Sequence, residues 1–232
     1  TWDNYRFLTE DNLYWVSYFK SIKIAAISTF ICLLIGYPMA YGIARATPTT
    51  RNILLMLVIL PFWTSFLLRV YAWMGLLGKN GIVNSLLMNI GLIDTPLKML
   101  YTDMAVYVGI VYTYIPFMIL PLYATLEKMD TSLHDAAADL GAKPWQTFID
   151  VTLPLSMPGI IAGSLLVFIP AIGEYVIPAL LGGIDSLMIG RTLYDEFFVN
   201  RDWPLASAVA TLLLIIVVIP IMLFQRSQQE QE

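Results

Sequence analysis

GIIAGSLLVFIPAIGEYVIPALL, residues 159–181, is twenty-three residues long and holds one ionisable side chain, Glu174. A helix needs about 20 mostly apolar residues to cross roughly 30 Å of hydrocarbon, so this run is long enough to span a bilayer. Four more stretches share its length and character: 21–44, 53–77, 104–126 and 205–224. None alternates as a barrel strand does, and only helices or closed barrels satisfy the backbone in lipid. The expected fold is therefore all-α, a polytopic helical bundle with five visible spans in a single transmembrane domain. Composition agrees: the chain is 58% hydrophobic and only 13% charged, about half the charge of a soluble domain.

Seven prolines fall inside these spans (Pro38, Pro61, Pro116, Pro121, Pro170, Pro178 and Pro220). They imply kinked helices, tolerated where neighbouring helices or a water-filled cavity satisfy the freed carbonyls. Between spans, 82–91 is apolar but too short to cross and reads as an interfacial or re-entrant helix. The stretch 127–157 reads as the most polar internal loop, and 182–203 carries Asp185, Arg191, Asp195, Glu196, Arg201 and Asp202. Lys and Arg are more numerous on the side of 182–203 than on the side of 127–157, where Arg45, Arg51, Lys128, Lys143 and Arg226 lie. The positive-inside rule thus argues against a cytoplasmic 127–157, although extended loops translocate largely regardless of charge. The polar opening stretch before the first span leads us to expect a further span upstream.

Within 127–157, Thr131-Ser132-Leu133-His134-Asp135-Ala136-Ala137-Ala138-Asp139-Leu140-Gly141-Ala142-Lys143-Pro144-Trp145 carries the functional signal. Ser132 is positioned to cap a helix with Asp135 three residues on. Leu133, Ala136, Ala137 and Leu140 then share one face at i, i+3, i+4, i+7. Gly141 is a natural C-terminal stop, and Pro144 suits the first turn of a second short helix. Small alanines on the first helix allow another surface to approach closely.

Asp135-Ala136-Ala137, three residues, Gly141, nine residues, then Val151-Thr152-Leu153-Pro154 resembles the EAA loop of bacterial ABC importer permeases, with Asp for Glu and Val for Ile. Residues 60–73, 173–178, 181–183 and 201–204 further resemble the spermidine/putrescine importer permeases, the putrescine type above all. The resemblance implies a MetI-like permease fold in the bacterial inner membrane, in which 127–157 is cytoplasmic and Ser132, Asp135, Ala136, Ala137, Leu140, Gly141 and Pro154 couple to an ATPase. It implies an ABC ATPase dimer that binds ATP and magnesium, a second homologous permease, a periplasmic polyamine-binding protein docking on the 182–203 side, and lipid around the chain. It implies no cofactor in the chain itself.

Other chemistry is poorly supported. No phosphate-cradling G-x-x-x-x-G-K-[ST] loop occurs, and neither does a nucleophile elbow or an H-E-x-x-H pair. The single Cys32 and single His134 leave no disulfide within the chain and few metal sites. There is no basic stripe for nucleic acid. Besides Lys23 at the edge of the first span, two ionisable residues lie well inside spans, Arg69 and Glu174, and each needs a partner or water. Glu174 either guides an amine cation along the pathway or pairs with Arg69 or another helix end to hold helices in register. Trp63, Tyr112 and Tyr175 are candidate cation-facing rings, whereas Tyr71, Trp73 and Tyr114 read as interfacial anchors. Two other functions stand beside polyamine import: the same importer class carrying an inorganic anion or iron, and an ion-coupled secondary transporter. The latter predicts inverted repeats, and none is legible.

Overall fold

A computed structural model describes residues 2–184 and 186–229. Asp185 lies outside the described residues, as do the side chains of Pro220 and Arg226. In chain order the helices are α1 (Trp2–Glu10), α2 (Asn12–Arg45), α3 (Pro48–Ile59), α4 (Phe66–Leu77), α5 (Ile82–Asn89), α6 (Asp103–Glu127), α7 (Ser132–Asp139), α8 (Pro144–Thr147), α9 (Leu153–Ile172), α10 (Val176–Leu181), α11 (Ile189–Tyr194) and α12 (Trp203–Gln229). Among the described residues, three helical stretches are long and apolar enough to cross a membrane: Asn12–Arg45, Asp103–Glu127 and Pro144–Ile172. The broken pair Pro48–Trp63 and Phe66–Asn89 makes a fourth if it counts as one span.

Two expected spans are framed differently in the structure. The run 53–77 is not one helix: α3 ends at Ile59, a 3-10 turn covers Leu60–Trp63, and α4 starts at Phe66. Pro61 lacks a donor and its ring crowds the preceding turn, while Ser65 adopts an extended ψ of 135° ahead of α4. The run 159–181 is displaced towards the N-terminus and broken near its end. Helix begins at Pro144, passes through a π turn at Phe148–Thr152 into α9, and stops at Ile172. The π turn, in which the Leu153 N–H donates to the Phe148 carbonyl, widens the backbone just ahead of Pro154. That widening lets helix run through a stretch that the sequence reading places in the polar loop 127–157. The short helix expected over 82–91 is α5.

By contacts the chain forms two compact units rather than one: Thr1–Thr29, Phe62–Thr113 and Phe168–Glu232 in the first, Phe30–Pro61 and Tyr114–Val167 in the second. In the first, the opening half of α2 turns a polar stripe inward. Tyr14, Ser17, Tyr18 and Ser21 are all buried and recur at i, i+3, i+4, i+7. Lipid satisfies no hydroxyl, so such a stripe must face protein. Ser21 Oγ accepts from the Ile189 N–H at 2.7 Å, the Thr192 hydroxyl reaches Ser17 Oγ at 3.3 Å, and Tyr18 donates to the Val209 carbonyl at 2.6 Å. Tyr14 donates to Glu196 Oε1 at 2.8 Å, and Asn200 Nδ2 holds the other carboxylate oxygen at 2.9 Å. The buried Asn84 on α5 clamps the connection between α5 and α6, donating to the Leu97 carbonyl at 3.0 Å and accepting from its N–H at 2.9 Å.

The second unit packs α6 against α9 through small residues. Gly159 and Gly163 are one turn apart, and a Cβ on either would lie 2.6 Å from Thr125 Oγ1 or 2.9 Å from Met118 Sδ. Such spacing lets membrane helices approach backbone to side chain. Cys32, Met118, Leu122 and Leu126 fill the interior, and Tyr37 OH meets Ser156 Oγ at 2.9 Å. Arg51 closes the end of α2, donating to the Ala44 carbonyl at 3.1 Å and to Glu127 at 2.9 Å.

The Tyr14–Glu196 bond is charge-assisted and buried, so its loss is expected to cost about 1.5–3 kcal/mol. Tyr14→Phe will lower the melting temperature in detergent clearly more than Tyr5→Phe, since Tyr5 is exposed. Equal melting temperatures for the two variants, measured by thermal-shift assay, would refute the staple.

Candidate functional site

The hairpin α7–Gly141–α8 is shaped by its own backbone. Ser132 does not cap α7 as the sequence suggested. Thr131 holds the N-cap position without a side-chain bond; Asp130, one residue before it, accepts from the Ser132 N–H through Oδ1 at 2.9 Å, and Ser132 becomes the first helical residue. Bonds from the Ser132 N–H and then its hydroxyl hold the Asp130 carboxyl below its usual pKa. Asp135 sits in the first turn, where a negative charge complements the helix dipole. At the other end Gly141 has φ +82°. The Ala142 N–H reaches the Ala137 carbonyl at 3.0 Å and the Gly141 N–H the Ala138 carbonyl at 2.9 Å, a complete Schellman motif. Pro144 then opens α8, with the Lys143 N–H donating to Gln146 Oε1 at 2.8 Å.

The outward surface is mixed, with Ser132, Asp135, Asp139 and Lys143 exposed beside apolar side chains. Leu133, Ala136, Leu140 and Trp145 are exposed, Leu140 to 89%; Ala137 is half-buried and turned inward instead. His134 faces inward too. Its Nε2 lies 3.0 Å from Thr152 Oγ1, and Thr152 is buried where the π turn meets α9. This contact between α7 and the start of α9, beside Pro154, is one the sequence did not disclose; His134 was legible only as part of the helix.

The intramembrane candidates fall in the first unit. Glu174 is 8% exposed and sits in the break between α9 and α10. Its Oε1 accepts from the backbone N–H groups of Tyr175, Val176 and Ile177 at 3.2, 3.0 and 3.4 Å. The carboxylate thus N-caps α10. Gly190 lets α11 abut this break: a Cβ there would lie 2.7 Å from the Glu174 carbonyl oxygen. The Arg69 guanidinium lies over the rings of Phe62 and Phe66, 5.3 and 5.9 Å from their centroids. Tyr175 stacks on Tyr194 at 4.0 Å, nearly parallel, with Phe198 4.7 Å beyond. These rings line a cavity of about 350 Å³ together with Phe197 and Ser207. Tyr112 packs edge-on against Trp73 at 5.4 Å, and Trp63 stands 81% exposed. Tyr175 is therefore the candidate ring that lines this cavity, while Trp63, Arg69 and Tyr112 belong to the α4 side of the unit.

Comparison with known proteins places the chain. Residues 14–229 match the family model described as binding-protein-dependent transport system inner membrane component. The chain is 45% identical over 210 residues to the spermidine/putrescine transport system permease protein PotB of Haemophilus influenzae, covering 90% of the chain and 73% of that protein. It is 42% identical over 229 residues to the PotB protein of Escherichia coli K12, covering 99% and 83%. Its fold matches a chain of the bacterial alginate ABC transporter, crystallised in complex with an alginate pentasaccharide-bound periplasmic protein, with a TM-score of 0.70 at 19% identity over 95% of this chain and 80% of that one. The exposed hairpin, the apolar helices and these matches converge: the chain belongs to the family of inner-membrane components of binding-protein-dependent transport systems.

Proposed function

We propose that this chain is the permease subunit of an ATP-driven importer for polyamines, putrescine and spermidine, and that it works by alternating access. The observation that carries the importer reading is the pre-shaped hairpin, which presents exposed Leu133, Ala136, Leu140 and Trp145 and is tied through His134 to the start of α9. Such a surface fits a groove on another protein. That protein is an ABC ATPase dimer, which binds ATP and magnesium, because the chain has no phosphate loop. Closure of the ATPase moves α7, and Thr152 passes the displacement into α9. A second, homologous permease completes the pathway, and a periplasmic binding protein delivers cargo, as in the alginate transporter's complex. The cargo follows from the shared name of the two PotB relatives.

In proteoliposomes holding the assembled transporter, labelled putrescine and spermidine will accumulate only with ATP, each competing with the other and not with sulfate. Saturable sulfate uptake without polyamine uptake would overturn the cargo.

The hairpin turn is testable through φ alone, because no atom stands within 4 Å of a Cβ placed on Gly141. A β-branched residue resists the left-handed region, whereas Asn tolerates it. Gly141→Val will reduce ATP-driven uptake at least about tenfold, since a strain of about 1–2 kcal/mol reshapes the turn; Gly141→Asn will keep most of it. Membrane insertion should be the same in both. Wild-type uptake by Gly141→Val would remove the hairpin from coupling.

Glu174 separates by chemistry. Glu174→Ala strands three N–H groups at the start of α10, and a buried unsatisfied donor costs about 1–3 kcal/mol, so the assembled transporter will melt earlier and transport less. Glu174→Gln keeps a carbonyl acceptor and removes the charge. If capping is the role, Gln will retain most uptake and stability. A stable Glu174→Gln complex with no polyamine uptake would instead assign the charge to cargo.

A further inference from the structure

In the second unit, α2 and the start of α9 flank a groove of about 550 Å³. Leu33, Leu34, Tyr37 and Pro38 line it from α2, and Leu153 and Ile160 from α9, with no charged residue in its lining. Tyr37 spends its hydroxyl on Ser156, so it offers the groove only its ring. Gly42 keeps one end open, since no atom stands within 4 Å of a Cβ placed there. Phe30 and Leu34, at the other end, are 64% and 65% exposed.

One turn beyond Tyr41, which also lines the groove, stands Arg45. Its guanidinium lies over the Tyr41 ring at 5.5 Å, and its Nη2 is buried with no hydrogen-bond partner among the described residues. The neighbouring guanidinium leaves it little to bond. Arg51 already takes the Ala44 and Ala46 carbonyls at 3.1 and 3.5 Å and the Glu127 carboxylate at 2.9 Å. A helix C-terminus favours a cation there, but that does not satisfy the buried Nη2.

We propose that this groove binds one anionic phospholipid, with an acyl chain along α2 and the phosphate on Arg45. Dimensions agree: α2 rises about 22 Å from Phe30 to Arg45, enough for one leaflet of a roughly 30 Å hydrocarbon core and its phosphate layer. Charge agrees as well. A guanidinium meets phosphate oxygens in a bidentate geometry, and basic sites between membrane helices hold anionic headgroups. A polyamine is excluded because the lining has no carboxylate and Arg45 repels it. The seated chain packs on Phe148 and Leu153, which bracket the π turn that His134 holds through Thr152. The lipid therefore supports the base of the hairpin.

The test uses the whole transporter, purified in mild detergent and also reconstituted in nanodiscs of phosphatidylglycerol or phosphatidylcholine. Native mass spectrometry counts retained phospholipid, and a photoreactive benzoylphenylalanine replacing Leu34 reports what fills the groove. The wild type will retain one phospholipid that Gly42→Leu, which fills the groove, does not. Arg45→Gln will lose a preference for phosphatidylglycerol over phosphatidylcholine of about fivefold, the effect of one cation near a charged headgroup. The position-34 probe will cross-link to lipid, and this arm stands even if Gly42→Leu assembles poorly. Equal lipid counts in the wild type and a well-assembled Gly42→Leu overturn the site. So does cross-linking at position 34 to a protein subunit, which would make the groove a helix-docking surface, and so does an unchanged headgroup preference in Arg45→Gln.

Discussion

One carboxylate oxygen of Glu174 receives three consecutive backbone N–H groups, and the first unit is arranged around that bond. A helix interrupted at membrane depth exposes donors that lipid cannot satisfy. The chain stops α9 at Ile172 and restarts at Val176, and without an acceptor the new N-terminus would carry orphan groups. Glu174 supplies the acceptor from within the gap, and its charge suits the positive end of the α10 dipole. Gly190 then brings α11 against the same gap, and Tyr194 on α11 stacks on Tyr175. Cap, close approach and stacked rings are thus consequences of one break.

The sequence disclosed those features that a single residue type determines. Gly141 was legible as a stop because only a residue free to take positive φ ends a helix in a Schellman turn, and Pro144 as a start because its missing donor is harmless there. Spanning character was legible from apolar length alone. What escaped depends on backbone or on remote partners. The first N–H of α7 is met by Asp130 rather than a later one by Ser132, a choice between two competent acceptors two residues apart. Helix continued through 144–158 because a π turn accommodates Pro154, and π turns carry no residue signature. Conversely, 53–77 broke at a proline that many membrane helices tolerate.

Intramembrane charge was the strongest pointer, and it identified the residue while leaving its partner open between Arg69 and a helix end. Pairing Glu174 with Arg69 assumes that a buried charge needs an opposite charge. Here the carboxylate is met by peptide dipoles and the guanidinium by aromatic faces. These partners are neutral in the sequence, so no count of charges reveals them. Glu196 repeats the pattern: its partners are the Tyr14 hydroxyl and the Asn200 amide, one of them at the opposite end of the chain.

The hairpin follows a different logic, which bears on how force passes through the protein. Its conformation is fixed by Asp130, the Gly141 turn, Pro144 and Gln146, all within the hairpin and its flanks, so it is formed before any partner arrives. A docking partner then loses little affinity to ordering the loop. Outwardly it offers Leu140 and Trp145, apolar side chains that gain from burial; inwardly it is joined through His134 to Thr152 at the foot of α9. The division matters because a soft loop would absorb a displacement in its own φ and ψ angles. A helix closed by a Schellman turn has few such angles left to change, so under the proposed coupling a movement imposed on α7 would pass through His134 to Thr152, where the π turn meets α9.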